Sequence, residues 1–407
     1  MKNNKRTEVN SSSEARSRRV FIIFTAAFLG LVLVIGAVFG VIGIVNGSTS
    51  VMRFKGVYLK EGVSNYLAST YKYDFMSSLT RAGVECYDSD YFWESEAEEG
   101  KTWGEILKEN TESYLKRVII GSYLFDRNTS LKRADKDVIE KATSEVLEYR
   151  TGGDVDRFNE IAEPMGFTYR DFKRAAEMLY KYEMAKTVIF GYDGAALKSG
   201  SFSRECNEYF EKEYSKVKLI IIRTEGDFAT DPETGDKVYS EFDDGKKAEI
   251  QEKIEEIREL IYNTENDLVA DGMNEDTFNW YIANEFPTGT VNDTEGYYFS
   301  SSSSYSLEFA EDAPEVVKKA LGMEVGHYAE AEVDIGVCFI YKCPLDRGAY
   351  DRISVAHFFS DFYENAASYV YSVSVEAYLD GVTAKDKYDG EKVVSVPYNN
   401  ELLVKFN

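Results

Sequence analysis

Residues 20–45, VFIIFTAAFLGLVLVIGAVFGVIGIV, form a run of 26 positions without a single charge. That length spans a bilayer as one helix with some tilt. A cleavable secretory signal has a shorter apolar core and a small-residue cleavage site. Here the core is longer, and NGSTSVMRF, which follows it, has neither an A-x-A pattern nor a lipoprotein cysteine. The run reads as an uncleaved transmembrane anchor. Lys2, Lys5, Arg6, Arg16, Arg18 and Arg19 precede it, against only Glu8 and Glu14. The positive-inside rule then predicts a cytoplasmic basic tail over 1–19, a span over 20–46 and an extracytoplasmic remainder. Gly36 and Gly40 make a GxxxG pair, a candidate contact for a homodimer.

The 407 residues leave room for two or three domains outside the membrane. The formal net charge is −24 despite the basic tail. A surface this acidic repels a nucleic-acid backbone, so nucleic acid is not an expected partner. There are two histidines, His327 and His357, and no CxxC, HExxH, nucleophile elbow or Gly-rich phosphate loop. No metal and no cofactor is expected. The carboxylate runs 94–99 and 241–244 read as solvated faces rather than a glycosidase pair. Cys86, Cys206, Cys338 and Cys343 can pair in an exported domain. Cys338 and Cys343 are five apart, however, and one continuous strand would put them on opposite faces.

Beyond the span, helical periodicity dominates up to residue 214. Trp103, Leu107, Tyr114, Val118 and Phe125 share one stripe, and Val138, Ala142, Val146 and Tyr149 share another. TGGD ends the second as a glycine stop. Thr168 and Asp171 form an approximate capping box for a helix carrying Phe172, Ala175, Leu179 and Ala185. Ser203 is the expected cap of a further helix over 204–214. The expectation is an all-helical lobe over 47–214.

The pattern then changes. SKVKLIIIRTE predicts a buried strand over 217–224. A polar loop follows, then a helix over 246–271, a short helix at NEDTFNWYIANEF, a turn-rich loop through the serine run 300–306, a further helix and two strands ending at GVCFIYKC. A second domain is therefore expected over 215–345, with 346–407 returning as a C-terminal helix and tail. The fold class is α+β. In the last strand, alternation puts Asp334, Gly336, Cys338 and Ile340 on one face and Val333, Ile335, Val337, Phe339 and Tyr341 on the other.

The segments GFTYRDFKRAAEMLYKYEMAKTVIF, ECNEYFEKEYSKVKLIII, EGYYF, LEFAEDA, KKALGMEVGHY and DIGVCFIYKC come in an order that resembles the SurA/PrsA class of extracytoplasmic foldases. The resemblance covers nearly all of 54–380. It implies a helical chaperone lobe, completed by a C-terminal helix, with an inserted parvulin-type prolyl isomerase domain. It also implies unfolded or nascent exported polypeptides as partners. Rotation about an X-Pro bond is slow because the peptide barrier is high, about 18–20 kcal/mol. Its catalysis needs an apolar slot for the proline ring and polar groups that tolerate loss of amide resonance. The resemblance implies a histidine in the first strand, another in the last, and an Asp or Cys between them.

Those positions fall at Leu219 or Ile221 and at Cys338, and none is histidine. Asp293 is the nearest candidate acid. The slot implied by resemblance has Tyr298, Phe299, Leu307, Phe309 and Ile340 as its substrate-binding wall. The 30 tyrosines and 25 phenylalanines suit contact with unfolded chains, with Tyr66, Tyr71, Tyr73, Tyr363, Tyr369 and Tyr371 as candidates for exposure. Three functions stay open: a foldase with weak or lost isomerase activity, an anchored scaffold for one membrane complex, and an isomerase with a non-standard site.

Overall fold

The computed structural model describes residues 50–98, 100–226, 228–230, 237–265, 273–301, 314–333, 336–385 and 388–406. The expected span at 20–45, Gly36, Gly40, Leu307, Phe309, Asp334 and Ile335 lie outside them. Among the described residues no helix is long and apolar enough to cross a membrane. The chain is α+β and divides into two compact units: residues up to Ile189 with those from Val373 onward, and Phe190–Ser372.

The first unit is not all-helical. It opens on a hairpin, β1 (Ser50–Phe54) and β2 (Val57–Lys60), and Thr383–Ala384 pairs with β1 as a third strand. Lys55 and Gly56 both have positive φ, 42° and 92°, which two-residue hairpin turns require. Its longer helices follow: α1 (Glu61–Arg81), α2 (Trp103–Asn128), α3 (Arg133–Thr151), α4 (Val155–Ala162) and α5 (Tyr169–Phe190), with a short helix, Asp90–Glu94, between α1 and α2. Their ends follow local chemistry. Thr102 and Glu105 form a reciprocal capping box on α2, and Thr168 and Asp171 do the same for α5. Gly152 ends α3 in the left-handed region, at φ 63°. Tyr66 packs edge-on against Phe167 and Phe172 in the core and is fully buried.

In the second unit α6 (Ser203–Glu213) runs straight into β3 (Tyr214–Arg223). Phe202, not Ser203, occupies the cap position of α6, and no side chain caps it. Strands β4 (Tyr297–Ser300), β5 (Tyr328–Val333) and β6 (Gly336–Cys343) complete an antiparallel sheet in the order β4-β3-β6-β5. Strand β4 lies in the stretch that reads from sequence as a loop. Helices α7 (Asp244–Glu265) and α8 (Glu275–Asn284) cover one face. There Ile220, Ile222, Phe339 and Tyr341 meet Ile254, Ile257, Phe278 and Ile282 in one buried cluster. Helix α9 (Pro314–Gly322) packs against all four strands, with Val316 and Ala320 buried. A continuous apolar run is what a central strand buried on both faces requires.

The expected boundaries at 215 and 345 fall inside this unit. Helix α6 belongs to it because Phe210 packs on Tyr298 of β4 and on Tyr350, Phe359 and Phe362. Residues 346–372, expected to complete the helical lobe, carry those last three rings and stay with the sheet through them. Helix α10 (Phe362–Glu376) runs through the boundary. The tail holds a short helix, Glu391–Ser395, and among the described residues after it no strand is paired.

Candidate functional site

The slot implied by resemblance maps onto the sheet of the second unit. Register places Cys338 opposite Ile221 and Ile340 opposite Leu219 across β6 and β3. These four residues share the face turned away from the α7–α8 cluster. They do not line an open cleft. Leu219 is 2% exposed, Ile221 8%, and Cys338 and Ile340 are fully buried. Burial pushes the Cys338 thiol well above its ordinary value, and its Sγ makes a long contact to the Phe339 carbonyl, at 3.9 Å. Such a thiol stays protonated and is a poor hydrogen-bond group.

The remaining expected residues lie elsewhere. Asp293 accepts from the N–H groups of Thr288 and Gly289 and closes a turn. His327 is exposed beside Glu324, and His357 is exposed against the ring of Phe358. Phe299 is fully buried, stacked on Tyr297. Tyr298 is fully buried too, and its hydroxyl donates to Asp346 at 2.8 Å. Arg352 and Lys216 also reach Asp346, at 2.7 and 2.9 Å. Burial pushes the Asp346 carboxyl up, but the bonds from Lys216, Tyr298 and Arg352 outweigh it and hold it below the usual value. This polar knot fastens β3 and β4 to the segment after β6. Its hydrogen bonds are internal, so it reads as structure rather than as a reactive site. The four cysteines are free, and the described residues hold no group of side chains suited to a metal ion.

Open concavities occur in the first unit. One, of about 810 Å³, lies where α1, α4 and α5 begin. Glu61, Asp156, Glu160 and Asp171 line it, with Lys392 paired to Glu61 at 3.2 Å. Two more flank α3, of about 500 and 360 Å³. The aromatic residues expected to be exposed are not the exposed ones. Tyr66 is buried, Tyr71 stacks on Tyr114, and Tyr73 stacks on Tyr398. Tyr363, Tyr369 and Tyr371 are half-buried. Tyr91, Tyr149 and Tyr192 stand out instead, at 88%, 82% and 80% exposure. Tyr149 is legible as the last member of its helical stripe, one turn past the point where the helix is covered.

No protein-family model and no curated protein matches the chain. Solved structures similar to it include foldases and peptidylprolyl isomerases. They include PrsA from Bacillus anthracis, at 13% identity over 69% of this chain and 98% of that one, with a TM-score of 0.21. PrsA from Bacillus subtilis aligns at 14% identity over 74% and 94%, with a TM-score of 0.19. Foldase protein PrsA from Streptococcus pneumoniae aligns at 12% over 75% and 99%, with a TM-score of 0.18. These are distant likenesses.

Proposed function

We propose that this chain is a membrane-anchored extracytoplasmic folding factor that holds unfolded exported polypeptides. In this reading its inserted α+β unit keeps a parvulin-like fold without the isomerase chemistry. The carrying observation is the organisation of the chain. A compact unit over Phe190–Ser372, built on a four-stranded antiparallel sheet, is bracketed in sequence by two segments that fold together as a mostly helical unit. The motif order in the sequence supports the same reading. The loss of isomerase chemistry is supported by Leu219, Ile221, Cys338 and Ile340, which fill the sheet face where polar groups would be needed.

The test is aggregation of chemically reduced insulin in the presence of the purified full-length chain. Suppression at a stoichiometric ratio is expected, and its absence would refute the holding function. A proline-isomerisation assay on the same preparation should show no acceleration above buffer. A clear acceleration would mean that a different part of the molecule carries an isomerase site. Anchoring is tested by protease added to intact cells, which should cleave everything beyond the span and spare the basic tail.

A further inference from the structure

We propose that the groove between α3 and residues 400–405 is where an extended segment of an unfolded polypeptide docks, added as a strand alongside 403–405. The proposal rests on the holding function above and names its place. The first observation is a helix face that runs out of cover. Val138 packs into the cluster of Ile139, Ala176 and Tyr180, and Ala142 is buried. Val146, one turn on, is half-buried, and Tyr149 is 82% exposed. The same stripe that fills the core therefore continues into an open groove of about 500 Å³. Arg150 lies over the Tyr149 ring at 5.1 Å and holds it at the lip.

The second observation is the opposite wall. Val404 and Phe406 pack into the core cluster, whereas Leu403 and Lys405 line the groove. That two-residue alternation belongs to an extended backbone. The Val404 N–H donates inward to the Tyr66 hydroxyl at 3.3 Å. In an extended chain the main-chain groups of the neighbouring residues point the other way. Those of Leu403 and Lys405 make no hydrogen bond among the described residues. They form a free edge of the kind that pairs with an added strand.

The groove selects for extended chain of no particular sequence. From Ala142 to Tyr149 the helical floor is about 10 Å long, which accommodates about three strand residues. That is far too narrow for a folded partner surface. Its rim carries both signs, Glu145 and Glu401 with Arg150 and Lys405, so it does not sort segments by charge. Main-chain pairing would supply the hold, and the apolar floor would take one side chain of each alternate pair.

The test uses the full-length chain and a fluorescent, permanently unfolded, reduced and carboxymethylated protein as probe. A photo-crosslinker at position 149 should capture the probe, and one at the equally exposed Tyr192 in the other unit should not. Tyr149→Glu and Val146→Glu should each weaken binding about tenfold. Lys405→Pro, which removes the edge N–H, should do the same, whereas Lys405→Ala should bind as the parent does. Equal melting temperatures would separate these effects from misfolding, and the crosslinking does not depend on them. If the parent chain binds the probe but position 149 stays uncrosslinked and the variants bind normally, the groove is not the site and the holding function stands. If the parent chain binds no unfolded probe, both readings fall together.

Discussion

Lys72 is one of 47 basic residues, and nothing in its sequence neighbourhood sets it apart. In the fold it is 1% exposed. Its ammonium sits 2.6 Å from Asp88, donates to the carbonyls of Val394 and Val396 at 2.7 and 2.8 Å, and lies 5.1 Å from the centre of the Trp93 ring. Trp93 in turn donates to Asp88 at 2.8 Å. One side chain thus joins α1, the turn before the short helix Asp90–Glu94, and the C-terminal segment. Burial lowers the affinity of Lys72 for its proton, and Asp88 opposes that. Removing one partner of a buried pair is expected to be severe, because the other charge and both carbonyls lose their donor. Lys72→Met should therefore destabilise the first unit by about 3 kcal/mol, the lower end for buried pairs because Asp88 keeps some water. Urea denaturation measures this, and a loss under about 1 kcal/mol would place the pair among ordinary surface bridges. The opposite case is Cys338. Its position in the last strand is readable from the sequence, but its burial depends on what packs over it, which periodicity does not report.

Elements are legible where one pattern runs long enough. Strands β3 and β6 follow from apolar runs, and α2, α3 and α5 from stripes and caps. Two short elements are not. Strand β4 is only four residues, YYFS, embedded among turn formers. The β1–β2 hairpin is absorbed into a region dominated by helical spacing, although its turn chemistry is in view at Lys55 and Gly56. Register Phe54↔Val57 leaves these two as the whole loop. A Cβ at Gly56 would meet nothing within 4 Å, so the demand there is on the backbone alone. Gly56→Val should accordingly cost about 1–2 kcal/mol through its left-handed φ, without any steric clash. Gly336, at the start of β6, makes the other kind of demand. A Cβ there would run into the Ile222 carbonyl oxygen across the ladder. Gly336→Ala should therefore disrupt β3–β6 pairing and lower the melting temperature of the second unit more than Gly56→Val lowers that of the first. Calorimetry of the two variants checks the order, and equal shifts would contradict it.

At the scale of the molecule, acid bears more heavily on the second unit. In the second, Asp346, Glu256 and Glu330 are all held below the usual carboxylate range. Burial pushes Asp346 up, but bonds from Lys216, Tyr298 and Arg352 win; Tyr281 and Lys253 lower Glu256, and Arg258 lowers Glu330. In the first unit, bonds to Thr102 lower the exposed Glu105, whereas burial raises Asp74 and Glu183. A carboxyl depressed in the fold contributes stability that is fully present above its unfolded value, about pH 4, and is lost as pH falls through the folded one. A carboxyl raised in the fold contributes at low pH and loses that contribution as pH rises through the folded value. Acidification below about pH 4 should thus weaken the second unit while Asp74 and Glu183 favour the first. The chain carries three tryptophans, Trp93 and Trp103 in the first unit and Trp280 in the second. Trp280→Phe leaves fluorescence that reports the first unit alone, and circular dichroism reports both. Between pH 7 and 2, dichroism should begin to fall before the fluorescence of this variant moves. Asp346→Asn should flatten the early phase, because it removes one of the depressed carboxyls from the titration. A single coincident transition, or fluorescence that moves first, would mean that the polar knot around Asp346 does not set the acid response of the second unit.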